Sequence, residues 1–169
     1  MVQFKCLSFY ELSLDELYAI MALRQEIFVV EQNCPFIDAD GKDQKSWHVL
    51  GQQISSSQAS DPENTAMRTP SSEEEGLVAY TRLLPKGLAY PDYASIGRVV
   101  NSASVRGQGV GKLLMAESIR HIRHLCPNDP VKIGAQSYLL SFYESFGFVS
   151  TGEEYLEDGI PHTCMVLAD

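Results

Sequence analysis

Residues 94–127 read ASIGRVVNSASVRGQGVGKLLMAESIRHIRHLCP, and the fold turns on how this stretch divides. ASIGRVVN is short and rich in β-branched residues, which predicts a strand. Val110, Leu113, Leu114, Ile119 and Ile122 recur at helical spacing, and the helix has to stop before Pro127. Between them stand Arg106, Gly107, Gln108, Gly109, Val110 and Gly111, so the unit is strand, glycine turn, helix. Glycines at that place let the backbone pass close to a bulky anion. The unpaired N–H groups of the helix start point at it, with the positive end of the helix dipole behind them. A pyrophosphate site is the expectation, and a plain tight connection is the alternative. Two common phosphate loops fail on spacing. The dinucleotide fingerprint needs glycine at 112 or 114, where Lys112 and Leu114 stand. The nucleoside-triphosphate loop needs glycine at 106 and Ser or Thr at 113, where Arg106 and Leu113 stand.

Working outward, WHVLGQQI and GLVAYTRLLP read as two strands, most simply an antiparallel pair. The stretch between them, residues 55–75, holds six Ser, two Pro and five acids against one Arg, which predicts a mobile excursion. Ser13 followed by Glu16 reads as a capping box, opening a helix with Leu14, Leu17, Tyr18, Met21 and Leu23 at helical spacing. NCPFIDADGKDQKS then carries Pro35, Asp38, Asp40 and Gly41 and is read as a loop. Downstream, PVKIGAQ is a strand and YLLSFYESFGF a short helix ending at Gly147. The tail, residues 149–167, supplies one or two closing strands around the turn EDGIP.

The 169 residues suit one domain over 1–169, and 44% apolar content is enough for a core without disulfides or metals. Disordered, collagenous and disulfide-stapled classes are excluded. No apolar run approaches the roughly 18 residues of a spanning helix, and MVQFKCLSFYELS lacks a basic region leading into a clean apolar stretch. A soluble cytoplasmic protein with no membrane partner is expected. Cys6, Cys34, Cys126 and Cys164 form no CxxC pair, so reduced thiols are expected. A net charge of -9 argues against a nucleic-acid partner. His121, His124 and Cys126 lack a fourth metal ligand and read as a solvated helix end, so no metal is expected. Cys164 reads as a packed thiol.

The segment R-x-x-G-x-G at 106–111 resembles motif A of the GNAT acyl-CoA N-acyltransferases. IGRVVN, the helix, KIGAQ and FYESFGF stand in that family's order and spacing. The resemblance is closer to the ElaA-like subgroup, through RQEIFVVEQNCPFIDADGKD, His48, IGRVVN, GAQ, FYESFGF and EDGIPH, and covers the chain apart from the Ser-rich excursion. It implies an α+β fold: a mixed central β-sheet with helices on both faces, in α/β/α layers, using acetyl-CoA as acyl donor. By the resemblance, backbone N–H groups of Arg106, Gly107, Gln108, Gly109, Val110, Gly111 and Lys112 hold the pyrophosphate. Val99 and Val100 bond the pantetheine arm and thioester where two parallel strands splay apart. Gln136 stands where the family usually has Asn, and Phe142 joins the same cofactor set.

Acyl transfer from a thioester needs a neutral amine, stabilisation of an oxyanion and departure of a thiolate. A tyrosine, with a pKa near ~10, can protonate a sulfur whose thiol lies near ~8.5 and stay protonated itself at neutral pH. Tyr143 stands at the family's general-acid position; a core aromatic beside Phe142, Phe146 and Phe148 is the alternative reading. A backbone N–H near Val100 would meet the oxyanion. For the general base, Glu31, Asp38, Asp40, Asp43, Glu157, Asp158 and His162 are candidates, with Glu31 and His162 preferred. The implied function is N-acetylation of a primary amine, small-molecule or peptidyl, by direct attack in a ternary complex, as a monomer or homodimer. A catalytically weak acyl-CoA sensor is the other class.

Overall fold

The computed structural model describes residues 1–54 and 76–168; the excursion predicted at 55–75 lies outside them. In chain order the elements are β1 (Val2–Ser8), α1 (Leu14–Arg24), β2 (Trp47–Gln53), β3 (Leu77–Leu84), β4 (Ser95–Asn101), α2 (Val110–Leu125), β5 (Lys132–Gln136), α3 (Leu140–Glu144), β6 (Phe148–Glu157) and β7 (Ile160–Leu167). The expected α+β arrangement, with helices on both faces, is what the chain adopts. Strands β1 to β4 form an antiparallel sheet in sequence order, and β5, β7 and β6 form a second antiparallel sheet with β7 in the middle. Among the described residues the two meet in parallel at one bridge, Ala94 with Val131. There the Ala94 N–H donates to the Pro130 carbonyl, and the Lys132 N–H to that of Ala94, both at 2.9 Å.

The alternation of β3 fixes the layers. Ala79 and Leu83 pack with Leu114, Met115 and Ile122 of α2, whereas Tyr80 packs with Ile20, Leu23 and Ile27 on the α1 side. Thr81 faces α2 as well. The Ser118 hydroxyl donates to the Leu114 carbonyl at 2.7 Å and therefore accepts from Thr81 at 2.6 Å, so this polar pair is satisfied inside the core.

Helix α1 starts as its sequence dictates: Ser13 Oγ accepts the Glu16 N–H at 3.1 Å, and the Glu16 carboxylate accepts the Ser13 N–H at 2.8 Å. Its buried face differs from the expected one. Leu14 and Tyr18 are 85% and 80% exposed, while Ile20, Leu23 and Arg24 are buried. The helix then widens into a π-helical turn, Gln25–Glu31, which buries Ile27. Such widened turns recur at functional sites. Strand β1, not anticipated from the sequence, pairs along its whole length with β2.

Candidate active site

Beyond Ala94 the strands β4 and β5 diverge, and β4 is the edge strand of its sheet. Its outward backbone groups face a cleft of about 710 Å³, where Val99, Val100, Arg106, Gln136, Tyr143 and His162 all meet. An edge strand of this kind is a template for an extended, amide-bearing ligand. Within β4, Tyr80 opposes Val100 and Arg82 opposes Gly97, so Arg98 and Val99 together face Thr81. This is a β-bulge, and Arg98 carries its strain at φ +54°.

At the end of the cleft lies the glycine turn. Gly107 and Gly109 have φ of +76° and +79°, and a Cβ on either would project into open space. Gly109 starts α2, and no side chain caps that terminus. The N–H groups of Arg106, Gln108 and Lys112, expected to face an anion, instead donate to the Ala103, Val105 and Gly109 carbonyls, which leaves those of Gly107, Gly109, Val110 and Gly111 for one. The residues expected there separate by role. Val110 is buried in the core, and Gln108 turns back to donate to the Ser104 carbonyl at 2.9 Å. Lys112 is exposed in the first turn of α2. Gly111 packs against Asn101 and the Phe142 ring. Phe142 in turn meets Tyr143 edge-on at 5.2 Å, which places it beneath the turn. Asn101 lines the cleft with a buried Oδ1 that has no hydrogen-bond partner.

Tyr143 is buried on α3, edge-on to Phe148 at 6.1 Å. Burial, reinforced by the neighbouring Tyr138, pushes its phenol up to about 12. Across the cleft, the His162 ring stacks on Tyr155 at 5.3 Å. Nδ1 lies 2.8 Å from the Ile160 carbonyl, which can only accept, so Nδ1 carries a proton and in the neutral ring Nε2 is the atom with the lone pair. The Glu157 carboxylate stands 3.8 Å from that Nε2. Glu31 does not line the cleft; it holds Arg106 at 2.8 Å, between groups that are both nearly half exposed. Asp158, at φ +51°, shapes the turn between β6 and β7 with Gly159.

The three early-loop aspartates are engaged in ion pairs, Asp40 and its partner Arg82 at the lining of the cleft itself. Asp38 accepts from Arg24 Nε at 2.5 Å and Arg98 Nε at 2.6 Å. Asp43 accepts from Arg24 at 2.7 Å and Arg82 at 2.9 Å, and Asp40 binds Arg82 through both oxygens at 2.7 Å. Burial alone would raise Asp40 and Asp43, but Arg82 beside Asp40, and Arg24 and Arg82 beside Asp43, hold both below the usual carboxylate range. Sequence reasoning missed this network. The available signal was Arg82, which alternates with Thr81 and Leu83 onto the same face as the buried Tyr80, where an arginine has to be paired. It also missed Tyr90 and Tyr155, whose hydroxyls both lie over Gly134. Cys164 lines the cleft as a thiol that burial, then Glu153, pushes up, so it stays protonated.

Residues 38–168 match the family model described as an acetyltransferase (GNAT) domain. The chain belongs to the GNAT acetyltransferase family. It is 40% identical over 167 residues to the protein ElaA of Escherichia coli, covering 98% of this chain and 95% of that one. The crystal structure of E. coli ElaA superposes with a TM-score of 0.79 at 38% identity, covering 99% and 100% of the two chains. That of an acyl-CoA N-acyltransferase from Pseudomonas aeruginosa gives 0.80 at 36%, with the same coverage. The geometry of this GNAT chain fits an acyl-CoA: an uncapped helix start for the diphosphate, an open strand edge for the amide-bearing arm, and a buried phenol at the cleft. Among the described residues no helix is long and apolar enough to cross a membrane, and no His, Cys, Asp and Glu group is placed to hold a metal ion. His121 lies 3.7 Å from Glu117, and His124 is exposed.

Proposed function

We propose that this protein is an acetyl-CoA-dependent N-acetyltransferase that acetylates a primary amine by direct attack in a ternary complex. The observation that carries the proposal is the open edge of β4 running from the glycine turn to the buried Tyr143 along one cleft. When bound, acetyl-CoA supplies the activated acyl group as a thioester. N–H groups of Gly107, Gly109, Val110 and Gly111 would hold its diphosphate, with Arg106 and Lys112 adding positive charge. Val99 and Val100 would bind the arm through their backbone, with Gln136 reaching from β5, and a β4 N–H near Val100 would face the charge that develops on the carbonyl oxygen. Tyr143 O–H gives its proton to the departing sulfur.

His162 Nε2 takes the proton from the incoming ammonium, directly or through one water, with the Glu157 carboxylate 3.8 Å away. Glu31, held by Arg106, then acts at the diphosphate end, so His162 is the preferred base. Four free cysteines suit a reducing compartment, and the cytoplasm is the location we propose.

The test is a panel of amines with acetyl-CoA, following release of the free thiol. Saturable turnover on at least one small or peptidyl amine is the expected result. Silence across the panel with intact acetyl-CoA binding would favour an acyl-CoA sensor.

A further inference from the structure

We propose that Arg98 and Asp38 are positioning residues: their ion pair clamps the bulge of β4 in the shape that presents the Val99 and Val100 backbone to the cleft. The inference rests on the reading of the cleft as an acyl-transfer site. A strand residue other than glycine at φ +54° holds a costly conformation, so something has to keep it there. The ladder does not do so at this point, because Thr81 is shared between Arg98 and Val99 and a bulge leaves its extra residue out of the pairing.

The side chain is held instead. Its Nε donates to Asp38 Oδ1 at 2.6 Å, and the guanidinium lies over the rings of Phe28 and Phe36 at 5.6 and 5.8 Å. Asp38 cannot give way, because Arg24, itself buried, binds its other carboxylate oxygen at 2.5 Å and its carbonyl at 3.0 Å. Asp40, bound bidentately by Arg82, stands 3.7 Å from Arg98 Nη2 and closes the other side. The anchor is therefore the buried Asp38 of the loop 36–43 together with Arg24 of α1, and the clamped group is backbone at the cleft. The loop 36–43 acts on the Val99 and Val100 backbone through Arg98; its own Asp40 also lines the cleft, with both carboxylate oxygens already taken by Arg82.

Two substitutions at one position separate this from a plain packing role. Arg98→Ala and Arg98→Gly both remove the guanidinium, yet only glycine accepts a positive φ freely. Asp38 keeps Arg24 in both, so both variants retain the buried anchor. With the best amine of the panel, kcat of Arg98→Ala is expected to fall about tenfold or more, and Arg98→Gly to recover most of that loss. In amide spectra of the ligand-free protein, the Val99 and Val100 signals should move in the alanine variant and stay near their wild-type positions in the glycine variant. Equal kcat in the two variants, or unmoved Val99 and Val100 signals in Arg98→Ala, would overturn the clamp. A wild type without transfer to any amine would instead remove the transferase reading, and the amide spectra alone would then decide the clamp.

Discussion

Tyr143 is one hydroxyl placed among aromatic rings, and its environment sets what it can do. A phenol pushed up to about 12 by burial is fully protonated at neutral pH. A general acid loses its proton, and its use, only as pH rises through that value. Tyr143→Phe should therefore lower kcat about 100-fold or more while the melting temperature still rises on adding acetyl-CoA. The wild-type rate should show no alkaline loss attributable to Tyr143 below about pH 11, and a limb near pH 10 that vanishes in the phenylalanine variant would contradict this. At this scale the sequence was informative wherever a residue type is dictated by its own chemistry. Gly107 and Gly109 were readable because their turn requires positive φ. Arg98 was not, because an arginine carries no mark that its φ will be +54°; that depends on Asp38, sixty positions away.

At the level of elements, the start of α2 is the most sharply testable. Gly109→Asp places a carboxylate in the open space before the turn, at φ +79°. With acetyl-CoA at about 100 times its Kd, mass action should add about 2.7 kcal/mol, or about 5–10 °C, to the wild type. The aspartate variant should lose that rise, whereas Gly109→Ala should lower the basal melting temperature by the left-handed cost of about 1–2 kcal/mol and keep part of it. A full rise in Gly109→Asp would refute the diphosphate site. Helix α1 shows why its apolar face escaped a reading by periodicity: apolar side chains stand on several of its sides, and the burial of Arg24 shifts the inner stripe to Ile20, Leu23 and Ile27. Ile20→Ala should accordingly cost about 2–5 kcal/mol and Leu14→Asp less than about 0.5 kcal/mol, as denaturant midpoints would report. Equal costs would reverse the assigned face. Strand β1 has no deeply buried side, so its sequence lacks the clean alternation that marks a strand.

For the whole molecule, the buried ion network governs the response to acid. His48 Nε2 donates to the Asp43 carbonyl and Nδ1 accepts the Tyr80 hydroxyl, so the ring is neutral, and burial holds its pKa below the ordinary value. In the native state both His48 and the aspartates Asp40 and Asp43 bind fewer protons than in the unfolded chain, so stability falls as pH falls. The His48 share is complete above about pH 6.5 and is lost below it; the aspartate share is complete above about pH 4 and is lost below that. Melting temperature should decline in those two steps between pH 8 and 3, and the upper step should flatten in His48→Gln; a constant value down to pH 4 would contradict the scheme. The layered arrangement was readable because its strand and helix order is local, whereas the network joins residues from α1, the loop 36–43, β3 and β4 that only folding brings together. The bridge between Ala94 and Val131 carries a last consequence. Below that rung the two sheets share one core, and an amide-bearing molecule laid along the gap would add rungs of its own, so filling the protein and stiffening it become the same event, one that backbone exchange along residues 96–101 would record.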